Sequence, residues 1–341
     1  MLKLGIIGSH TITEQMLDAA QKSGYYQLTS VYSRSKDRAQ TFGQPYGATQ
    51  FFDDLAAFFD EGDFDVVYIA SPNSCHFAQA KLAIEHDKQV IVEKPAFVNP
   101  VQFREIKSLL QAHPQAHLVE AARHMYTAIY HLARKKVDSM HPIQGATITT
   151  MKYSSRYDKV LDPSAETPNI FNPEFAGGAL MDLGVYAVYL AVDLFGRPKF
   201  VHYYPTMTTS GVDGKGVAIL TYDDFTVTLN VGKTANSYLP TEIYGLKDAL
   251  VFDNAFDTRH VSYYDSHQQE HELIPDHLYG NTMLDEMKAF AKMFAHQDDS
   301  DVHRQYEEQL KLAEQVNTVM YQLRQSANLS FPSDQQSTNR K

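Results

Sequence analysis

Short apolar runs alternate with helical patterns across the first 121 residues, and few architectures accommodate that rhythm. Residues 2–7 form an apolar run that ends directly on Gly8. A helix is predicted over 13–22, with Thr11 or Thr13 as its N-cap. Further strands are predicted at 27–33, 49–52, 65–70, 89–92 and 116–121, and helices at 36–43, 53–60, 74–86 and 100–113. The run 65–70 is apolar on both alternating sets of positions, the pattern of a strand covered on both faces. Asn99 and Pro100 suit the N-cap and first turn of the helix they open. Strand and helix alternating at this spacing imply βαβ units around a parallel sheet.

Beyond residue 122 the rhythm changes. A connecting helix is predicted over 124–137. Strands at 148–153, 200–207, 217–222 and 225–231 alternate apolar with polar positions, and Asp223-Asp224 joins the last two as a tight hairpin. One long helix, 178–195, interrupts them, and helices at 281–295 and 303–325 follow. This pattern predicts an antiparallel sheet with one face covered. The expected organisation is one domain over 1–122, a second over 123–325, and a loose polar tail over 326–341.

Thirty basic side chains against forty-one acidic ones leave a net charge of −11, which argues against a nucleic-acid partner. The basic triple Arg134-Lys135-Lys136 reads as a solvated helix face. Cys75 is the only cysteine, so internal disulfides and cysteine-based zinc clusters are excluded, and a reducing, cytoplasmic setting is expected. Apolar runs such as 66–70 fall far below the roughly 20 residues that span a bilayer, so no membrane association is expected. Two histidine pairs, His113/His117 and His267/His271, are four apart, but Pro114 breaks one and a polar stretch separates the other; no metal is predicted.

Four motifs fall where chemistry is usually placed. Gly5-Ile6-Ile7-Gly8-Ser9-His10-Thr11-Ile12-Thr13 joins the first strand to the first helix, where backbone N–H groups bind pyrophosphate. Of the usual three loop glycines only Gly8 is present, with His10 and Thr13 in the other places. A ligand-free tight turn would use Gly8 equally well. A histidine at position 10 crowds a pyrophosphate unless it turns outward or stacks on the ligand. The second strand ends in Val31-Tyr32-Ser33-Arg34-Ser35 with no acidic residue, and Ser33, Arg34 and Lys36 or Arg38 suit a 2′-phosphate, or else open a helix whose charges face water. Ser71-Pro72-Asn73 and Glu93-Lys94-Pro95 follow the fourth and fifth strands, with the proline fixing the turn through a cis bond in one reading. A solvated turn is the other reading of that triplet. Finally, Gly177-Gly178-Ala179-Leu180-Met181-Asp182-Leu183-Gly184-Val185-Tyr186 opens the long helix. Asp182 and Tyr186 are four apart and share a helical face, and Gly184 implies close packing. The face is either catalytic or a buried hydrogen-bonded pair.

Taken in order, Gly-Ile-Ile-Gly at 5–8, Ser-Pro-Asn-x-x-His at 71–76, Val-Glu-Lys-Pro at 92–95 and the 177–186 segment resemble the glucose–fructose oxidoreductase / inositol dehydrogenase / MocA (Gfo/Idh/MocA) family. The resemblance covers residues 2–325. It implies an α/β protein: an N-terminal Rossmann domain with a doubly wound parallel sheet, then an α/β domain with an open, mainly antiparallel sheet. It implies hydride transfer between NADP, or NAD, and a hydroxyl or carbonyl carbon of a sugar-like or small carbonyl substrate. Lys94 matches the family's catalytic lysine and Asp182 its helix aspartate. Tyr186 stands where many members have histidine, and resembles the proton-donor tyrosine of the glucose–fructose oxidoreductase and dimeric dihydrodiol dehydrogenase branch. Gly8, Ser9, His10, Thr11 and Ile12 would cradle the cofactor phosphates. Ser33 and Arg34 would take the 2′-phosphate, and Ser71, Pro72, Asn73, His76, Glu93 and Lys94 would lie on the nicotinamide side. Arg123, Arg156, Tyr157, Asn169 and Asn172 lie on loops or strand ends suited to substrate hydroxyls, and equally to ordinary surface or capping roles. The half-covered sheet, with apolar strands at 217–222 and 225–231, predicts a homodimer or larger assembly. The rival readings are a catalytically silent regulator of the same fold that senses a dinucleotide or sugar, and a redox-neutral lyase or hydrolase.

Overall fold

The computed structural model describes residues 1–335, and the chain divides into two compact units. The first consists of Met1–Phe97, Val101–Arg123 and Tyr279–Lys311. The second consists of Val98–Pro100, His124–Leu278 and the chain from Leu312 onward.

Apolar, β-branched runs in the first unit form six strands: β1 (Leu2–Ile7), β2 (Tyr26–Tyr32), β3 (Gln50–Phe52), β4 (Val66–Ile69), β5 (Gln89–Glu93) and β6 (Leu118–Ala121). All neighbours are parallel, in the order β3-β2-β1-β4-β5-β6. The winding therefore reverses between β1 and β4, the doubly wound arrangement that opens a crevice at the carboxyl ends of those strands. Side chains of β4 are fully buried, as its unbroken apolar run requires. Asp54 caps the helix Leu55–Glu61 by accepting from the Ala57 N–H at 2.8 Å.

The helix Met283–Ala295 also belongs to this unit, contrary to the expected boundary at 122/123. It packs on the helix Thr11–Ser23. Tyr26 donates its hydroxyl to the Met287 carbonyl at 3.0 Å, and Asn281 reaches the Gln15 carbonyl at 2.8 Å. Amphipathic periodicity reveals that such a helix needs cover, but not which sheet supplies it.

In the second unit β7 (Gly145–Met151), β8 (Phe200–Met207), β9 (Asp213–Thr221), β10 (Thr226–Gly232), β11 (Thr241–Tyr244), β12 (Ala249–Phe252), β13 (Val261–Tyr264) and β14 (Glu270–Glu272) form one sheet. Their order is β14-β13-β12-β11-β7-β10-β9-β8. β7 and β10 are parallel and every other pair is antiparallel. The hairpin expected through Asp223-Asp224 is present as β9–β10. Ala218, Leu220, Val227, Leu229 and Val231 point to the buried face, as alternation predicts. Strands β11 to β14 were not anticipated; they are three or four residues long and end in polar loops, too short for a period-2 signal.

The single helix expected over 178–195 begins instead with a π-helical turn, Leu180–Gly184, before the α-helix Val185–Phe195. The stretch Pro173–Phe195 is apolar enough by composition to cross a membrane, longer than the runs noted in the sequence, yet most of it is buried inside this unit. The C-terminal segment departs from the loose tail expected. Arg324, 1% exposed, pairs with Asp334 at 2.8 Å, and Phe331 is buried beside it. Burial alone would raise the Asp334 pKa; the Arg324 guanidinium outweighs it and holds the carboxyl below its usual range. Residues 336–341 of the expected tail lie outside the described residues.

Candidate active site

Gly8 follows β1 with φ +112, and a Cβ there would sit 2.6 Å from the Ala70 carbonyl oxygen. The loop thus runs against the backbone at the end of β4, where only glycine fits. His10, rather than Thr11 or Thr13, takes the N-cap position of the helix Thr11–Ser23. Its backbone is extended, its side chain is exposed, and it makes no capping hydrogen bond to the helix. The first helical bond runs from the Glu14 N–H to the His10 carbonyl, and the preceding N–H groups of Ile12 and Thr13 have no helical acceptor. The glycine turn against β4 and the N–H groups at the helix start fit a dinucleotide pyrophosphate.

Basic side chains border this loop. Arg38 donates Nε–H to the Ser9 hydroxyl at 3.0 Å, from a helix capped by Ser35. Arg34 lies close enough to Tyr32 and Cys75 for its charge to act on both, opposing the burial that pushes their pKa values up. A guanidinium thus stands just beyond β2, with another bonded to the loop that follows β1.

The Glu93-Lys94-Pro95 turn is held from below. Glu93, at the end of β5, accepts from the Tyr68 hydroxyl at 2.6 Å and from the Lys94 N–H at 3.2 Å. The Lys94–Pro95 bond is cis. Glu120 accepts from the Ala96 N–H at 3.0 Å. His76 is 1% exposed, with its ring nitrogens 3.1 Å from the Pro95 carbonyl and 2.8 Å from the Ser71 carbonyl. Burial pushes the His76 pKa down and the Glu93 pKa up. Both residues were placed among the cofactor ligands; the structure makes them the frame that ties the β4 and β5 turns together. Ser71, Pro72, Asn73 and Lys94 remain partly exposed at the strand ends.

Arg123 also departs from its expected role. It follows β6 in the first unit, and its charge acts on two buried acids, Glu93 and Glu286. That environment makes it a counter-charge to both acids. Glu286 was not anticipated. It is 1% exposed, and neither carboxyl oxygen has a hydrogen-bond partner among the described residues. Burial, reinforced by the Glu93 charge, pushes its pKa well up against the opposing pull of Arg123. The available signal was an acid on the apolar stripe Met283, Met287, Phe290.

In the second unit, Gly178 has φ +124, and a Cβ there would collide with the Asp213 carboxylate. Asp213, 2% exposed, accepts from the Leu180 N–H and from the Tyr203 hydroxyl, each at 2.7 Å. It caps the π-helical turn from a neighbouring strand. Gly184 passes against Val231 of β10, which explains a glycine inside the helix. Asp182 is ion-paired to Lys233, a buried ammonium at the end of β10. Lys233 lies 4.9 Å from the centre of the Phe171 ring, on which Tyr157 packs at 5.5 Å. Tyr186, 6% exposed, meets His124 edge-on at 5.0 Å and Phe256 at 5.8 Å. Tyr189 contacts His124 too, at 5.8 Å. Asp193 joins the Tyr130 hydroxyl and Arg134 instead.

The structure brings Tyr157 toward Asp182 through Phe171 and Lys233, and Asn169 opens the short turn that carries Phe171. Asn172 is committed elsewhere: its side-chain oxygen accepts from the Glu174 N–H at 2.9 Å, so it caps a turn. Arg156 is exposed in the turn Ser155–Tyr157. Lys233 and His124 were missed, because neither stands in a motif.

A profile described as the oxidoreductase family, NAD-binding Rossmann fold, matches residues 2–121, and one for the GFO/IDH/MocA C-terminal domain matches residues 146–251. The chain belongs to the Gfo/Idh/MocA family. Like the rest of that family it is an oxidoreductase with an NAD-binding Rossmann domain. It is 35% identical to the uncharacterized oxidoreductase YgjR of Escherichia coli, over 98% of this chain and 99% of that one. It is 34% identical to IolU of Bacillus subtilis, a scyllo-inositol 2-dehydrogenase (NADP(+)), over 98% of this chain and all of that one. Among solved structures, levoglucosan dehydrogenase in complex with NADH and levoglucosan shares the Gfo/Idh/MocA fold at a TM-score of 0.80 and 19% identity, covering 96% and 97% of the two chains. KijD10, a 3-ketoreductase from Actinomadura kijaniata in complex with NADP and TDP-benzene, does so at 0.81 and 19%, covering 95% and 97%.

Proposed function

We propose that the protein is an NADP-linked dehydrogenase or reductase acting on one CH–OH or carbonyl carbon of a cyclic polyol or sugar-like substrate. The full-length relationship to a scyllo-inositol 2-dehydrogenase carries this reading, and the residues within each unit support it.

In the first unit Gly8, Ser9, Thr11 and Ile12 would hold the pyrophosphate, and Arg34 with Arg38 the 2′-phosphate. When bound, the nicotinamide supplies the two-electron acceptor or donor. Asn73 and Lys94 would orient its ring end, and the Lys94 ammonium would stabilise negative charge on a substrate oxygen. In the second unit Tyr186 would exchange the proton of the reacting hydroxyl through its phenolic oxygen. Asp182 would accept a hydrogen bond from a neighbouring substrate hydroxyl, and Tyr157 and Asn169 would border that subsite.

Thermal melting with NADP⁺, NADPH, NAD⁺ and NADH in turn tests the cofactor assignment. A ligand at 100 times its Kd adds about 2.7 kcal/mol of stability. The phosphorylated pair should stabilise more strongly, and Arg38→Ala should erase the difference. A panel of cyclic polyols, followed by NADPH absorbance, then tests the chemistry. Stabilisation by none of the four nucleotides, in protein free of bound nucleotide and without turnover of the panel, would overturn the reading.

We also propose a homo-oligomer through the outer face of the second unit's sheet. The exposed apolar side chains there are Phe200 and Tyr204 of β8 and Val217 of β9, with Tyr204 directly opposite Val217. They lie on β8 more than on the 225–231 strand expected, because that strand spends its apolar positions on the buried face. Light scattering should find a dimer or larger species that Phe200→Glu/Tyr204→Glu dissociates; a monomeric native protein would rule the face out.

A further inference from the structure

Lys233 is the most fully buried ammonium in the second unit, with 2% of its side chain exposed. Lysines are rarely found there, because removing an ammonium from water costs several kcal/mol unless a counter-charge and good geometry offset it. Its mount is rigid. Its backbone N–H bonds the Gly214 carbonyl at 2.8 Å, and its carbonyl accepts from the Ser154 N–H at 2.9 Å. The side chain then enters the interior at the end of β10, beneath the π-helical turn.

Asp182, Phe171 and Asp213 are among the groups that face its ammonium. Asp182 of the π-helical turn pairs with it directly. The Phe171 ring lies 4.9 Å away. The Asp213 carboxylate of β9 feels its charge but already accepts from Leu180 and Tyr203. Asp182 is one-third exposed, so the pair is buried at one end and open at the other. An exposed pair such as Lys3–Asp63, 46% and 59% exposed, gains little from the same attraction. A half-buried carboxylate with a dry ammonium behind it is different: the ammonium favours its charged form and holds one of its oxygens.

We propose that Lys233 is a positioning residue of the active site, holding the Asp182 carboxylate ionised and oriented so that it meets the substrate only as a hydrogen-bond acceptor. This rests on the oxidoreductase reading, in which Asp182 contacts a substrate hydroxyl. A packing role for Lys233 would affect folding alone. A positioning role also affects the pH at which Asp182 stops working.

The test compares Lys233→Met, Lys233→Arg, Asp182→Asn and the Lys233→Met/Asp182→Asn double variant. An opposite charge at this range lowers a carboxyl pKa by about 1–3 units, so its loss should move the acidic limb of kcat/KM upward by about that much in Lys233→Met. Lys233→Arg should keep the native limb. In denaturant, Asp182→Asn should recover part of the stability lost in Lys233→Met, giving a non-additive cycle. An acidic limb unmoved in Lys233→Met, or strictly additive stabilities, would overturn the proposal. If the native protein turns over no polyol, the proposed substrate reading fails, while the stability cycle still decides whether the pair is coupled. If Lys233→Met does not fold, the double variant and Lys233→Arg carry the comparison.

Discussion

Glu286 in the first unit and Asp182 in the second are both acids withdrawn from water, and the fold keeps them by opposite means. Asp182 has an ammonium directly against it. Glu286 has no hydrogen-bond partner among the described residues and lies within reach of a second acid, Glu93, with Arg123 as the opposing charge. Glu93 is better served, with a tyrosine hydroxyl and a backbone N–H as donors. Burial, reinforced by the Glu93 charge, favours the protonated form of Glu286, while Lys94 and Arg123 both favour the charged form of Glu93. The difference teaches that burial alone does not define a site. A paired, half-open carboxylate keeps one side toward solvent, whereas a sealed one without a hydrogen-bond donor among the described residues is pushed toward its neutral form.

The largest effect should come from the reacting groups themselves. Tyr186→Phe should lower kcat by about 10²–10⁴-fold while leaving the melting temperature nearly unchanged. Lys94→Met should do the same through the other unit; steady-state kinetics beside a melt checks both, and native rates in either variant would end that assignment. Gly178→Ala comes next, with about 3 kcal/mol or more of stability lost, because a methyl group at φ +124 meets the Asp213 carboxylate that caps the π-helical turn. Urea denaturation reads this directly, and a loss below about 1 kcal/mol would show that the cap yields.

Glu286→Gln tests the comparison at its root. The Glu286 pKa is raised in the folded state, so above the unfolded value near ~4.3 the unfolded chain releases a proton that the native state keeps. Native stability therefore falls as pH rises from that value toward the folded pKa, by at most about 1.4 kcal/mol per pH unit from this group. The glutamine variant lacks that slope, so its advantage over the native protein should grow from pH 5 to pH 7. A constant difference across that range would mean that Glu286 is ionised in the fold. The smallest effect is local: Asp54→Ala should cost about 1 kcal/mol through the lost N-cap, with no change in pH dependence.

Much of the fold was legible. The strand-to-Gly8 junction, the Glu93-Lys94-Pro95 turn and the β9–β10 hairpin are written in adjacent residues, and the structure places each accordingly. Gly184 announced close packing and meets Val231. The roles of the flanking residues were less legible. His76 and Glu93 sit inside their motifs yet face inward, since a motif marks a turn without saying which side chains point to the ligand. Arg123 looks like a loop cation until Glu286 arrives from the far end of the chain. Lys233, between Gly232 and Thr234, reads as a solvated strand end; its partner is 51 residues away.

The sequence by itself determined the period and burial of each element, because strand alternation, helix stripes, caps and tight turns depend on residues only a few positions apart. It also determined the family, through four such local signatures in order. Only the tertiary structure decided which acid meets which cation, that the helix Met283–Ala295 returns to the first sheet, and that a π-helical turn carries Asp182 to a buried lysine. Those outcomes depend on chain closure over long separations, where a charge's neighbours are set by packing and no local pattern records them.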